Sequence, residues 1–174
     1  MSRPRPHYLV DGYNLIHAWE ELRGLELFIA RDQLINALIE YGGYEKFNIT
    51  LVFDAAFTDE DEKIEPFGEH FRVIYTASGE SADKVIERLT YELIRRRKEV
   101  HVVSSDAVIE TVILGAGAYR HPSREFYRAI KRAKQQLRKE YLSNVTLPVV
   151  RNEIGDRIDQ NVFAKLDELR RRKN

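Results

Sequence analysis

Apolar residues along this chain fall into short unbroken runs separated by stretches of helical spacing. His7 to Asp11 is a short apolar run ending in the polar turn Asp-Gly-Tyr-Asn, and Leu27 to Tyr41 follows with apolar residues at helical spacing. Asn48 to Phe53 is a β-branched and aromatic run that leads into Asp54, and Phe71 to Tyr75 is a similar run. Both read as buried strands. Ser81 is a predicted N-cap for a helix through about Arg97, with Val85, Ile86, Leu89 and Leu93 as its apolar face. Val100 to Val103 is the next strand. It turns through Ser104-Ser105-Asp106 into an apolar helix from about Ala107 to Leu114, for which Gly115 and Gly117 are terminators.

Strand and helix thus alternate, which predicts an α/β domain with a mainly parallel central sheet flanked by helices, because parallel strands need crossover connections. Thr58 to Glu69, acidic and without periodicity, is predicted as a mobile loop. From Ser123 to Tyr141, Phe126, Ile130, Ala133, Leu137 and Tyr141 repeat at helical spacing. Arg124, Arg128, Lys131, Arg132 and Arg138 fill the surface between them. A last helix is expected around Ile158 to Leu169, before the basic tail Arg170 to Lys173.

Composition narrows the chemistry. With 174 residues, 43% of them hydrophobic, the chain suits one substantial core with a tail. It has no cysteine, which excludes thiolate zinc sites, disulfides and cysteine nucleophiles, and is compatible with a reducing compartment, so a cytoplasmic location is expected. No uncharged run approaches the roughly 18 residues of a spanning helix, so no membrane association is expected. Net charge is zero, yet residues 1 to 118 hold 13 basic and 21 acidic side chains, and residues 119 to 174 hold 15 and 7. An acidic body suits cation binding and a basic C-terminal part suits a polyanion. The two patches also suit mutual attraction.

Candidate catalytic groups are defined by position. Asp11, Asp54 and Asp106 each lie just beyond an apolar strand, and Asp83 lies in the first turn of the helix after another. In a parallel sheet these positions converge on one edge, where ligands gather. Carboxylates brought together repel one another, and a divalent cation with oxygen ligands, Mg²⁺ or Mn²⁺, relieves that repulsion. Each residue also has a structural reading. Asp11 fits an Asx-turn, Asp83 the helix dipole and Asp106 a helix cap. Asp54 fits a supporting hydrogen-bond acceptor, and Glu80 either a ligand or loop surface. Asn14, Ser104 and Ser105 are suited to orienting water or phosphate, or to building turns. The five histidines lack paired metal-binding spacing, and no phosphate-binding glycine loop or serine elbow occurs.

The ordered set Tyr8-Leu-Val-Asp-Gly-Tyr-Asn14, Val52-Phe-Asp-Ala55, Gly79-Glu-Ser-Ala-Asp83 and Ser104-Ser-Asp106 resembles the NYN-domain ribonucleases, in particular their bacterial YacP-like branch. The resemblance extends through Ala30-Arg-Asp-Gln-Leu34, Tyr75-Thr76 and Leu114-Gly-Ala-Gly-Ala-Tyr-Arg120 to about Tyr141. It implies a PIN-like nuclease domain over residues 1–141; residues 142–174, largely outside the resemblance, are read from their apolar spacing as a helical extension of the same domain. It also implies Mg²⁺- or Mn²⁺-dependent endonucleolytic cleavage of messenger RNA linked to the ribosome. By position, Asp11, Asp83 and Asp106 match the acidic metal-site residues of such nucleases and Asn14 the motif asparagine, with Asp54 and Glu80 in support. Arg124, Arg128, Lys131, Arg132 and Arg138 are then candidates for the RNA backbone, with a solvated amphipathic face as the competing reading. The alternative for the whole chain is a non-catalytic RNA- or ribosome-binding module. A phosphatase of another α/β family is disfavoured, since Asp11-Gly-Tyr lacks a paired aspartate.

Overall fold

The computed structural model describes residues 3–55 and 60–145. The expected helix at Ile158 to Leu169 and the basic tail lie outside the described residues. The chain divides into two compact units, Met1–Gln136 and Leu137–Asn174. In the second, the described part is helical as far as Asn144.

The first unit is built on a six-stranded sheet. In chain order its strands are β1 (His7–Asp11), β2 (Asn48–Phe53), β3 (Lys63–Pro66), β4 (Phe71–Tyr75), β5 (Val100–Val103) and β6 (Tyr119–His121). The helices are α1 (Gly12–Ala18), α2 (Glu20–Arg23), α3 (Leu27–Glu45), α4 (Ala82–Arg95), α5 (Ala107–Ala116) and α6 (Ser123–Asn144). Strand order across the sheet is β3-β4-β2-β1-β5-β6, and every pairing is parallel except that of β3 with β4. After β4 the chain crosses to the other side of β1. That reversal opens a crevice at the carboxyl ends of β1 and β5.

Unbroken apolar runs become central strands because both of their faces are covered. Along β1, Tyr8 and Val10 pack with α1, α3 and α6, whereas Leu9 packs on the other face with Val85 and Ile86 of α4 and Ile109 and Ile113 of α5. Complete burial of such side chains contributes about 1.5–3 kcal/mol each. Register places Asp11 beside Val52 of β2, and Val10 beside Val103 of β5. Asp11, the last residue of β1, therefore lies one step beyond the β1–β5 pairing, level with the start of the β5–α5 turn.

Several expectations are corrected. The segment read as a loop from Thr58 to Glu69 contains β3, an exposed edge strand whose Lys63 pairs with Tyr75 and Pro66 with Arg72. The Asp-Gly-Tyr-Asn turn is the entrance to α1, where Asp11 accepts a hydrogen bond from the Asn14 N–H. Gly115 does not end α5. Gly117 does, at φ 86°, a left-handed conformation that suits a residue without Cβ. Phe126, Ile130 and Ala133 of α6 are buried as expected, but Tyr141 is exposed. His101 and His121 are packed strand residues: their rings stack, His101 lies between Tyr8 and Tyr119, and its Nδ1 meets His121 Nε2 at 2.8 Å.

Candidate active site

Asp11 ends β1 and caps α1 through a hydrogen bond of 3.3 Å from the Asn14 N–H. Asp106 follows β5 and caps α5, accepting from the Val108 N–H at 2.9 Å. Asp83 stands in the first turn of α4, whose N-cap is Ser81. Asp54 follows β2. The capping readings for Asp11 and Asp106 are thus realised, and each capping bond shown uses only the Oδ1 of its carboxylate.

Electrostatics tie the four acids together. Burial pushes the Asp11 carboxyl up to about 6; the Asn14 N–H opposes the rise, and the charges of Asp83, Asp106 and Asp54 add to it. Asp83 is raised as well, by burial first and then by Asp106 and Asp54. Asp11 is the group on which all three other acids act. Glu80 faces Arg88 at 3.7 Å, in an ion-pair group in which Arg88 also holds Glu62 at 2.8 Å.

Asn14 is the structural centre of the edge. Its Oδ1 accepts from the Ser105 N–H at 2.9 Å and from the Ser123 hydroxyl. Ser105 closes the triangle, its Oγ accepting from the Ser123 N–H at 3.0 Å. Ser104 is buried, and its Oγ accepts from the Asp106 N–H at 3.1 Å. These bonds join the β1–α1 turn, the β5–α5 turn and the start of α6. Asn14, Ser104 and Ser105 therefore position the backbone that carries Asp11 and Asp106. Sequence reasoning missed Ser123, which is completely buried. Pro122-Ser123 signals a helix start, but nothing local marks its distant partner.

Of the basic side chains on α6, Arg124, Arg128, Lys131, Arg132 and Arg138 are all exposed, Arg138 lying in the second unit. Lys131 is engaged. Its Nζ lies 2.7 Å from Glu21 of α2, which also accepts from the Tyr127 hydroxyl, and these two bonds hold the Glu21 carboxyl down to about 2. Arg124 and Arg128 line a polar groove of about 540 Å³ with His17 and Arg23.

The all-oxygen donor set at the carboxyl edge, partly buried and mutually repelling, suits a hard divalent cation. Among the described residues, no three His, Asp or Glu side chains are drawn together closely enough to hold an ion as they stand.

The profile of the YacP-like NYN domain matches residues 8–171 of this chain. The chain belongs to that family. It is 36% identical over 132 residues to the protein YacP of Bacillus subtilis (strain 168), covering 74% of this chain and 77% of the relative. The crystal structure of Rae1 (YacP) from Bacillus subtilis superposes with a TM-score of 0.68 at 31% identity, over 94% of each chain. A variant of that protein gives 0.69 at 31% identity, over 80% of this chain and 83% of the other. The YacP-like NYN assignment thus rests on sequence and fold together and places the chain among nuclease-family modules with a mixed α/β, PIN-like architecture. Among the described residues, no helix is long and apolar enough to cross a membrane.

Proposed function

We propose that this YacP-like protein is a Mg²⁺- or Mn²⁺-dependent endoribonuclease acting on messenger RNA in association with the ribosome in the cytoplasm. The observation that carries the reading is the gathering of Asp11, Asp54, Asp83 and Asp106 at one sheet edge, where burial first, and then the charges of Asp83, Asp106 and Asp54, push the Asp11 carboxyl up to about 6. Structural caps do not require that concentration of like charge, whereas a cation site does.

Asp11, Asp83 and Asp106 would hold the cation. Asp54 adds negative charge beside them. When bound, the cation supplies a nucleophile from water and offsets the charge that builds on the phosphate and the departing oxygen. Asn14, Ser105 and Ser123 would keep the two carboxylate-bearing turns in register. Water as nucleophile leaves a 5′-phosphate and a 3′-hydroxyl, since the ribose 2′-hydroxyl takes no part. Arg124, Arg128 and Arg132 would follow the RNA backbone, with Arg138 a further candidate, since the acidic edge by itself would repel it.

The competing reading, a non-catalytic RNA- or ribosome-binding module, draws on the spread of the carboxylates. One experiment separates the two. Defined messenger RNA is incubated with purified protein, with and without translating ribosomes, in Mg²⁺, Mn²⁺ or chelator, and the new ends are mapped. Metal-dependent internal cuts support the nuclease. RNA or ribosome association without cuts under any condition supports the module.

A further inference from the structure

Two stretches in the sequence resemblance, Ala30 to Leu34 and Tyr75-Thr76, contribute nothing to the carboxylate coupling, yet they meet in space. The Arg31 guanidinium lies 5.9 Å from the Tyr75 ring centroid, and Lys63 Nζ lies 6.0 Å from the same centroid. Arg31, Lys63 and Tyr75 line an open cavity of about 370 Å³ together with Tyr13, Asp54 and Glu65. Asp54 is therefore shared: it lines this cavity, and its charge raises both Asp11 and Asp83.

The cavity has a fixed aromatic wall. Phe53, fully buried, packs against Tyr13 at 5.1 Å and stacks on Tyr75 at 5.8 Å with an interplanar angle of 22°. Behind it, the Thr76 Oγ1 accepts from the Ala55 N–H at 3.0 Å, and the Thr76 N–H donates to the Phe53 carbonyl at 3.0 Å. Tyr75 is half-buried; Phe53 stacks on its ring and the long Arg31 and Lys63 side chains stand over it, so a stacking base would displace these two cations.

Charge decides what such a cavity accepts. Asp54, Glu60, Asp61 and Glu65 outnumber Arg31 and Lys63 around it, which opposes a phosphate. A flat neutral ring is favoured instead, because it stacks on tyrosine and on the guanidinium plane. Carboxylates at the rim accept hydrogen bonds from exocyclic amino groups, as they do from the cytosine amino group. Uracil presents carbonyl oxygens at that position and would face like partial charge.

We propose that this cavity is a nucleobase subsite for single-stranded RNA, receiving an amino-bearing base stacked on Tyr75 next to the carboxylate edge. The subsite rests on the nuclease reading for the place of the neighbouring phosphate, but base binding is measurable without cleavage.

The test uses the full chain and labelled single-stranded hexamers of A, C or U. Affinity is read by fluorescence anisotropy, in chelator and, separately, in Mg²⁺ with Asp83→Asn to suppress cleavage. The expected result is tighter binding of A and C than of U. Tyr75→Leu is expected to weaken A and C binding about 5- to 100-fold and to level the preference, whereas Tyr75→Phe keeps both. Glu65→Gln is expected to narrow the difference between C and U. If Tyr75→Leu does not fold, Arg31→Ala carries the same comparison. Absence of base-selective binding in both conditions overturns the subsite, as does a preference unchanged in a folded Tyr75→Leu or, failing that, in Arg31→Ala. Base-selective binding with no cleavage of any RNA by the unaltered protein overturns the nuclease reading and leaves the subsite standing.

Discussion

The Asn14 side-chain carbonyl accepts a hydrogen bond from the Ser105 backbone N–H at 2.9 Å, across 91 positions of sequence. That bond links the turn bearing Asp11 to the turn bearing Asp106, and the buried Ser123 hydroxyl shares the same acceptor. Asn14→Ala would strip both donors of their partner, at a cost of about 1–3 kcal/mol. Urea unfolding is expected to show that loss, and cleavage by the folded fraction is expected to fall at least about tenfold, in line with misplacement of catalytic groups. Full turnover in a folded Asn14→Ala would reduce the clasp to scaffolding.

Gly12 is required for a different reason. A Cβ at this position would collide with the Phe53 ring, which is buried at the end of β2. Gly12→Ala is expected to destabilise by about 1–3 kcal/mol through overpacking. Gly43 in α3 has open space around its Cβ position, so Gly43→Ala is expected to be neutral or to stabilise by about 0.5–1 kcal/mol. Thermal melts of the two variants side by side check the contrast.

Asp11 makes stability depend on pH in a direction opposite to that of a salt-bridged acid. Its carboxyl titrates near 6 in the fold, against an ordinary value of 3.8. The folded state thus binds the proton more tightly, and the contribution is fully present below about 3.8 and lost as pH rises through 6. In chelator at pH 7, Asp11→Asn is expected to be more stable than the unaltered protein by about 1–3 kcal/mol, with the gain shrinking toward pH 4. Mg²⁺ or Mn²⁺ is expected to raise the melting temperature of the unaltered protein more than that of Asp11→Asn. A gain that persists at pH 4 would remove charge repulsion as its cause.

On α6, Arg128 and Arg132 are exposed. If they follow the RNA backbone, Arg128→Glu with Arg132→Glu should weaken RNA or ribosome association and flatten its salt dependence, because fewer counterions are released on binding. Chemistry at the acidic edge should survive at saturating substrate. Titrations across a salt series decide it: an unchanged slope and affinity would leave α6 a solvated face.

What the sequence disclosed follows from which forces act locally. The bounds of β1, β2, β4 and β5 were legible because strands covered on both faces are unbroken apolar runs. β3 was hidden because an exposed edge strand, Lys-Ile-Glu-Pro, has no core to encode, and β6 because Tyr-Arg-His is short and polar. The placement of Asp11 and Asp106 at strand-to-helix turns, and of Asp83 in the first turn of a helix, was legible. The sequence offers Asp54 only as a supporting group and leaves Glu80 as either ligand or loop surface; Asp54 adds to the rise of the Asp11 carboxyl, and Glu80 faces Arg88. The Ser123 hydroxyl and the Lys131–Glu21 pair were invisible, because their partners lie 109 and 110 positions away.

The central claim is that the carboxylate edge carries out metal-dependent hydrolysis, and end-mapped cleavage tests it most directly. Internally labelled RNA, presented with translating ribosomes, is incubated with the unaltered protein and with Asp11→Asn, Asp83→Asn and Asp106→Asn, in Mg²⁺, Mn²⁺ or chelator. The account predicts internal cuts leaving 5′-phosphate and 3′-hydroxyl ends, abolished by chelator and by each substitution in variants that remain folded. Undiminished cutting in chelator, or by a folded variant lacking any one of the three carboxylates, would contradict it.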